Sequence, residues 1–194
     1  MRNSSTDELL AKRIVRIEGP ITDEMTNNCM AQMLYLAHRD STAPITLEID
    51  TPGGSVTDSL GIIRTIDYRL LCPVHISCGE TIGGTAVAIV ARGARGFRVA
   101  SPTTTFMFSR VQEDPRRGVD ISRFNHVFAK LIAERAGRLE EEIFELIRTE
   151  LHLTASAALA FGLIDRISGR PEDTRPAGLS AKLETVWGRF RRLR

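Results

Sequence analysis

Two glycine-bearing segments hold most of the chemistry this chain could perform. Thr51-Pro52-Gly53-Gly54-Ser55 can turn successive backbone N–H groups outward, and converging N–H groups form a cradle for an anion or an oxyanion. Gly79-Glu80-Thr81-Ile82-Gly83-Gly84-Thr85 stands before an apolar helical stretch, whose free N–H groups and dipole favour developing negative charge. Both segments can equally be tight turns with no chemical role, and spacing alone leaves the two readings open. Neither matches a Walker A or a G-x-G-x-x-G pattern, so nucleotide binding has no support. Thr81 and Thr85 offer hydroxyls in the second segment, but a threonine nucleophile needs an adjacent base. His38, His75 and His126 fall on a helix, a strand and a helix, where surface or satisfied core roles are the ordinary ones. His152 follows Glu150 closely and is the least implausible of the four as a base. Cys29, Cys72 and Cys78 are odd in number and lack C-x-x-C spacing, which argues against a disulfide framework and against zinc. No cofactor and no metal is expected.

The elements that must position these groups alternate between strand and helix. Arg13–Pro20 reads as a strand after a short polar lead, and Thr22 with Asp23 and Glu24 opens a helix whose inward face is Met25, Cys29, Met33, Leu34 and Ala37. Ile45, Leu47 and Ile49 alternate as a strand that runs into the first glycine loop and a helix carrying Leu60, Ile63 and Ile66. The pattern repeats with VHISC as strand, GETIGG as tight loop and TAVAIVARGA as a buried helix. FRVA and TTTFMF follow as strands. From Asp120 a helix with Ile121, Phe124, Phe128 and Leu131 on one side runs to about Gly137, and Leu139, Ile143 and Leu146 continue its period to Glu150. Thr154 is a candidate N-cap for ASAALAFG, Gly162 its C-cap, and LIDRI a last short strand. The expected fold class is α/β with βαβ crossovers and a largely parallel sheet.

With 194 residues, 42% of them hydrophobic and 26% charged, the composition is that of one ordinary globular domain. No apolar stretch approaches the roughly 20 residues of a membrane span, and the start lacks the apolar core of a secretory signal, so a cytoplasmic protein without membrane contact is expected. The net charge of +2 hides an asymmetry: residues 170–194 carry seven Lys/Arg and three Asp/Glu, and the preceding 169 are slightly acidic. That body gives no electrostatic reason to expect nucleic-acid binding. The 170–194 stretch reads as a Pro/Gly-rich linker and a basic amphipathic helix, with Leu179, Leu183, Val186, Trp187, Phe190 and Leu193 on one stripe.

Four blocks in unbroken order resemble the ClpP family, the proteolytic subunits of caseinolytic (Clp) proteases: GPITDEMTNNCMAQMLYL, DTPGGSVTDSLGIIRTI, GARGFRVASPTTTFMF and LTASAALAFGLIDRI. The resemblance covers roughly Arg13 to Ile167. It implies a crotonase-like α/β spiral with a handle helix, seven-membered rings stacked face to face around a chamber, a Ser-His-Asp triad and an AAA+ unfoldase feeding the chamber. On that basis the chain divides into a lead (1–12), a ClpP-like domain (13–169, handle about 109–137) and the linker with its basic helix (170–194).

Carried across, the triad is degenerate. Counting forward from PGG places Gly83 at the nucleophile position, counting back from GARGFR places Gly84 there, and no serine lies between Ser77 and Ser101. Ser109 stands at the position of the general base, and a hydroxyl cannot accept a proton near neutral pH as imidazole does. Glu150 takes the place of the aspartate. Gly54 and the N–H of Thr85 remain as an oxyanion-hole-like pair. Losing the nucleophile or base of such a triad costs on the order of 10⁶ in turnover.

The expectation is therefore a proteolytically inactive, degenerate (ClpR-like) ring subunit, structural or regulatory, in a homo- or hetero-oligomeric ring with active paralogues. The alternatives are a serine- or threonine-type peptidase with a rearranged site, a crotonase-like acyl-thioester enzyme, and a ring with no protease partner. The short lead puts direct docking of an unfoldase in doubt. In the handle, Glu113, Asp114, Arg116 and Arg117 read either as a solvated ribbon or as charges that select the opposing ring.

Overall fold

The computed structural model describes residues 4–111 and 123–169. The charged handle residues 113–117 and the linker and tail from residue 170 lie outside the described residues.

A helix, α1 (Ser4–Ala11), lies within what the sequence suggests is a short polar lead, and its Leu10 packs against the core. Strand β1 (Ile14–Glu18) follows, then α2 (Asp23–Arg39), β2 (Ile45–Thr51), α3 (Val56–Tyr68) and β3 (Val74–Gly83). The Thr22 hydroxyl caps α2 by accepting the Met25 N–H at 3.3 Å. The buried residues of α2 are Thr26, Cys29, Met33 and Leu36, with Met25, Leu34 and Ala37 only partly covered, because the helix packs against α3 as well as against β1 and β2. On α3 the buried set is Ser59, Ile62, Ile63, Thr65 and Ile66, so Leu60 sits at the margin rather than at the centre. Arg13 ties the other end of α2 to the following turn, donating to the carbonyls of Leu36, Pro44, Asp40 and Ala43 at 2.9–3.0 Å.

The second glycine segment is mostly strand, not loop. β3 continues through Gly79–Gly83, and Ile49 faces Cys78 while Thr51 faces Ile82, so β3 carries two more residues than β2 between these pairs. The extra length lets one strand serve two neighbours: residues 76–78 pair with β4 (Arg98–Ala100), residues 81–83 with β5 (Thr105–Met107). α4 (Ala86–Ala91) leaves the end of β3 with all six residues buried.

Helix α5 (Arg123–Ala136) buries Asn125, Phe128, Ala129, Ile132 and Ala133; of the expected side, Phe128 is inside, Phe124 and Leu131 pack against the core while partly exposed, and Ile121 lies outside the described residues. Gly137, at φ +68, ends it, and α6 (Glu140–Arg148) begins anew. The helical period of Leu139, Ile143 and Leu146 thus belongs to a second helix, since a left-handed residue cannot continue the first. A short strand β6 (His152–Thr154) precedes α7 (Ala155–Phe161). Thr154 caps α7 and Gly162, at φ +88, closes it. β7 (Arg166–Ile167) ends the described chain.

The sheet runs β1-β2-β3-β4-β7, all parallel, with β5 parallel to the far end of β3 and β6 antiparallel to β5. Apart from the β5–β6 pair, this is the largely parallel α/β arrangement that the alternating elements imply. The core lies between the sheet and α2, α3 and α4, and continues where α5 packs against α4 and α6. Arg98, with its side chain 4% exposed, is paired to Asp165 at 2.6 Å and fixes the turn before β7 to the start of β4.

Candidate functional site

The two glycine segments meet at the carboxyl ends of the strands, where parallel sheets place ligand sites. A methyl on Gly53 would stand 2.6 Å from the Gly83 carbonyl oxygen and 3.2 Å from the Thr85 nitrogen, so only hydrogens at these α-carbons allow the approach. The first loop is also held by Ile21, whose N–H donates to the Gly53 carbonyl and whose carbonyl accepts the Ser55 N–H.

The end of β3 decides which glycine faces position 109. A methyl on Gly83 would lie 2.4 Å from the Pro52 carbonyl oxygen, in space that backbone already fills. Gly84 has φ +50, and a methyl there would stand 3.1 Å from Ser109 Oγ. Its N–H donates to the Met107 carbonyl at 2.9 Å, which locks the turn beside β5. Counting back from GARGFR therefore picks the α-carbon that points at Ser109.

The remaining position follows from the β5–β6 ladder. Met107 pairs with His152, and the Phe108 N–H donates to the Leu151 carbonyl at 3.1 Å. Continued by one residue, that register sets Ser109 across from Glu150. Both are exposed, Glu150 holds a left-handed φ of +50, and its Oε1 lies 3.6 Å from Arg110 Nε.

The two threonine hydroxyls of the second segment and the histidines lie in different surroundings. Thr85 is buried, and the Ser59 hydroxyl donates to its hydroxyl at 2.7 Å. Thr81 sits within β3 opposite Thr105, with its N–H on Asp50 Oδ1. His75 stacks on Phe97 with ring centroids 4.0 Å apart, and burial lowers its pKa. His126 stacks on Phe144 beside Glu140. His152 lies exposed on β6.

Among the described residues, the Gly54 and Thr85 N–H groups donate to no protein acceptor. A small space of about 10 Å³, room for about one water, adjoins Gly84, Thr85 and Ser109 and is walled by Phe108, Phe128 and Ile147. Asn125 closes its edge by accepting the Val111 N–H at 2.8 Å, a contact no sequence pattern announces. Chemically, this is a cradle of backbone donors beside an α-carbon and a serine hydroxyl, with no imidazole in contact. Among the described residues no cluster of side chains suits a metal ion, and no helix is long and apolar enough to cross a membrane.

A model of the Clp protease family matches residues 2–171, which takes in α1 as well as the motif-bearing blocks. The ATP-dependent Clp protease proteolytic subunit of Streptococcus equi subsp. equi is 30% identical over 170 residues, covering 82% of this chain and 86% of that protein. Proteolytic subunit 3 from a Synechococcus strain is 32% identical over 174 residues, 84% and 85% of the two chains. The subunit from Streptococcus suis is 28% identical over 169 residues. With nearly the whole described chain matched and the parallel α/β sheet in place, this protein belongs to the Clp protease family.

Proposed function

We propose that this chain is a ring subunit of a Clp-type, ATP-dependent protease that contributes no peptide hydrolysis of its own and shapes the chamber beside active paralogues. One observation carries the reading: the α-carbon aimed at position 109 belongs to Gly84, and position 109 itself holds a serine. Backbone donors at Gly54 and Thr85 could still polarise a carbonyl, but without nucleophile and base only roughly 10³ to 10⁴ over water remains in such sites. The buried Ser59–Thr85 hydrogen bond argues against a threonine nucleophile, because attack would require freeing that hydroxyl and finding it a base. The stacked heptameric arrangement, the active paralogues and the AAA+ partner rest on the family resemblance.

The test is direct. The purified chain is incubated with a fluorogenic peptide and with a fluorophosphonate probe, and the complex pulled from its host is weighed by native mass spectrometry. No turnover, no labelled hydroxyl and a mixed-subunit mass are expected. Stoichiometric labelling of one hydroxyl residue refutes the reading.

A further inference from the structure

Parallel sheets ordinarily have both faces covered. Here α2, α3 and α4 pack on one face, and the other presents a row that the register fixes as Arg166, Val99, Ser77, Glu48 and Arg16. Glu18 and Asp50 pair in the next row towards the carboxyl ends. Together with Ser77 they line an open groove of about 250 Å³ over β1, β2 and β3. Three carboxylates share it with one guanidinium, Arg16, which is already paired to Glu48 at 2.8 Å. Among the described residues no cation pairs with Glu18 or Asp50. On the same face, two residues before Val99, Phe97 is 47% exposed and stacks on His75.

We propose that the basic segment 170–194 of this chain docks back across the open face of its own sheet, with its arginines in this carboxylate-lined groove. The position of the chain's exit favours it. Ile167 pairs with Ala100, Ala100 with Cys78 and Cys78 with Ile49, so the segment departs level with the groove. Three strand spacings separate them, about 14 Å. The 25 residues beyond Gly169 span that many times over, at roughly 3.3 Å each when extended. Charge favours it as well: the segment carries seven Lys/Arg against three Asp/Glu, and after Glu184 it has Arg189, Arg191, Arg192 and Arg194 with no acid. Trp187 and Phe190 stand among those arginines and suit the apolar flank at Phe97 and Val99.

Trp187, the only tryptophan, reports on this contact in the full-length chain. Acrylamide, a neutral quencher, is titrated at low ionic strength into the wild type, into E18K/E48K, into R189E/R191E and into all four changes together. The expected result is a shielded Trp187 in the wild type, exposed by added salt and by either double variant, and shielded again in the charge-swapped quadruple variant. Reversing two exposed pairs should lower the docked-to-free ratio roughly tenfold. Circular dichroism checks folding; if E18K/E48K does not fold, R189E/R191E alone must expose Trp187. A tryptophan as accessible in the wild type as in urea overturns the proposal, and so does shielding that ignores the charge reversals. Shielding lost on dilution overturns it too, since it assigns the contact to a second copy.

Discussion

Alanine at Gly83 and alanine at Gly84 should behave very differently, and the difference tests which of the two α-carbons faces position 109. At Gly84 the backbone φ is +50 and the new methyl meets Ser109 Oγ at 3.1 Å. Left-handed backbone costs a non-glycine residue about 1–2 kcal/mol, and an exposed serine hydroxyl can rotate aside. At Gly83 the methyl meets Pro52 O, C and Cα at 2.4, 2.7 and 2.9 Å, all of them backbone. Relief there requires parting the end of β3 from the loop at residues 51–55, which costs about 3 kcal/mol or more. With a slope of roughly 2 kcal/mol per molar, the urea midpoints of the two variants should lie about 0.5–1 M or more apart, Gly83→Ala being the lower. Far-UV circular dichroism during urea unfolding measures it. A second readout uses chemistry: G84S/S109H should gain fluorophosphonate labelling at residue 84, and G83S/S109H should not label. If Gly83→Ala is as stable as Gly84→Ala, or if labelling appears only in the Gly83 variant, the placement of position 84 opposite 109 is wrong.

Asp165→Asn should destabilise the fold by about 3 kcal/mol or more, because it strands the nearly buried Arg98 guanidinium, and thermal unfolding will show the loss. Burial alone pushes the Asp165 carboxyl up, but hydrogen bonds from the Arg98 side chain and backbone and from the Gly96 N–H together hold it below the ordinary aspartate range. A depressed folded-state pKa stabilises above the unfolded value and loses that contribution as pH falls through the folded value. Acid unfolding of the wild type should thus include a component that Asp165→Asn lacks. Thr85→Val removes one of two partners of the buried Ser59 hydroxyl, which keeps the Ser55 carbonyl at 2.8 Å, and should cost about 1 kcal/mol in urea unfolding, with fluorophosphonate labelling absent before and after. All three cysteines are buried, and desolvation pushes Cys29 up to about 12 and raises Cys78 as well. A thiol reagent at neutral pH should therefore leave the native chain untouched and modify all three thiols in denaturant.

Much of the architecture is legible in the sequence because it follows from local periodicity. Ile45, Leu47 and Ile49 alternate and are buried together, and Thr22 and Thr154 cap the helices that their side chains suggest. The errors have local causes too. GETIGG reads as a turn because glycine is abundant, yet β3 runs through it, since pairing with β5 lies 24 residues away from Thr81 and leaves no trace in its own neighbourhood. On α2 and α5 some expected inward residues are only partly covered and others are added, because α2 packs against α3, β1 and β2 and α5 against α4 and α6, and a single hydrophobic stripe does not record more than one partner.

What residue identity determines by itself is the family likeness, the strand–helix alternation of the main elements, and the lack of serine between 77 and 101: no fold can give glycine a hydroxyl or turn Ser109 into an imidazole. What only the tertiary structure decides is which glycine looks at Ser109, because the direction of a Cα–Cβ bond depends on where β3 ends against the Pro52 backbone. The Arg98–Asp165 and Ser59–Thr85 contacts belong to the same class, joining residues 67 and 26 positions apart. Such pairs are set by how strands register and helices pack, which spacing along the chain does not encode.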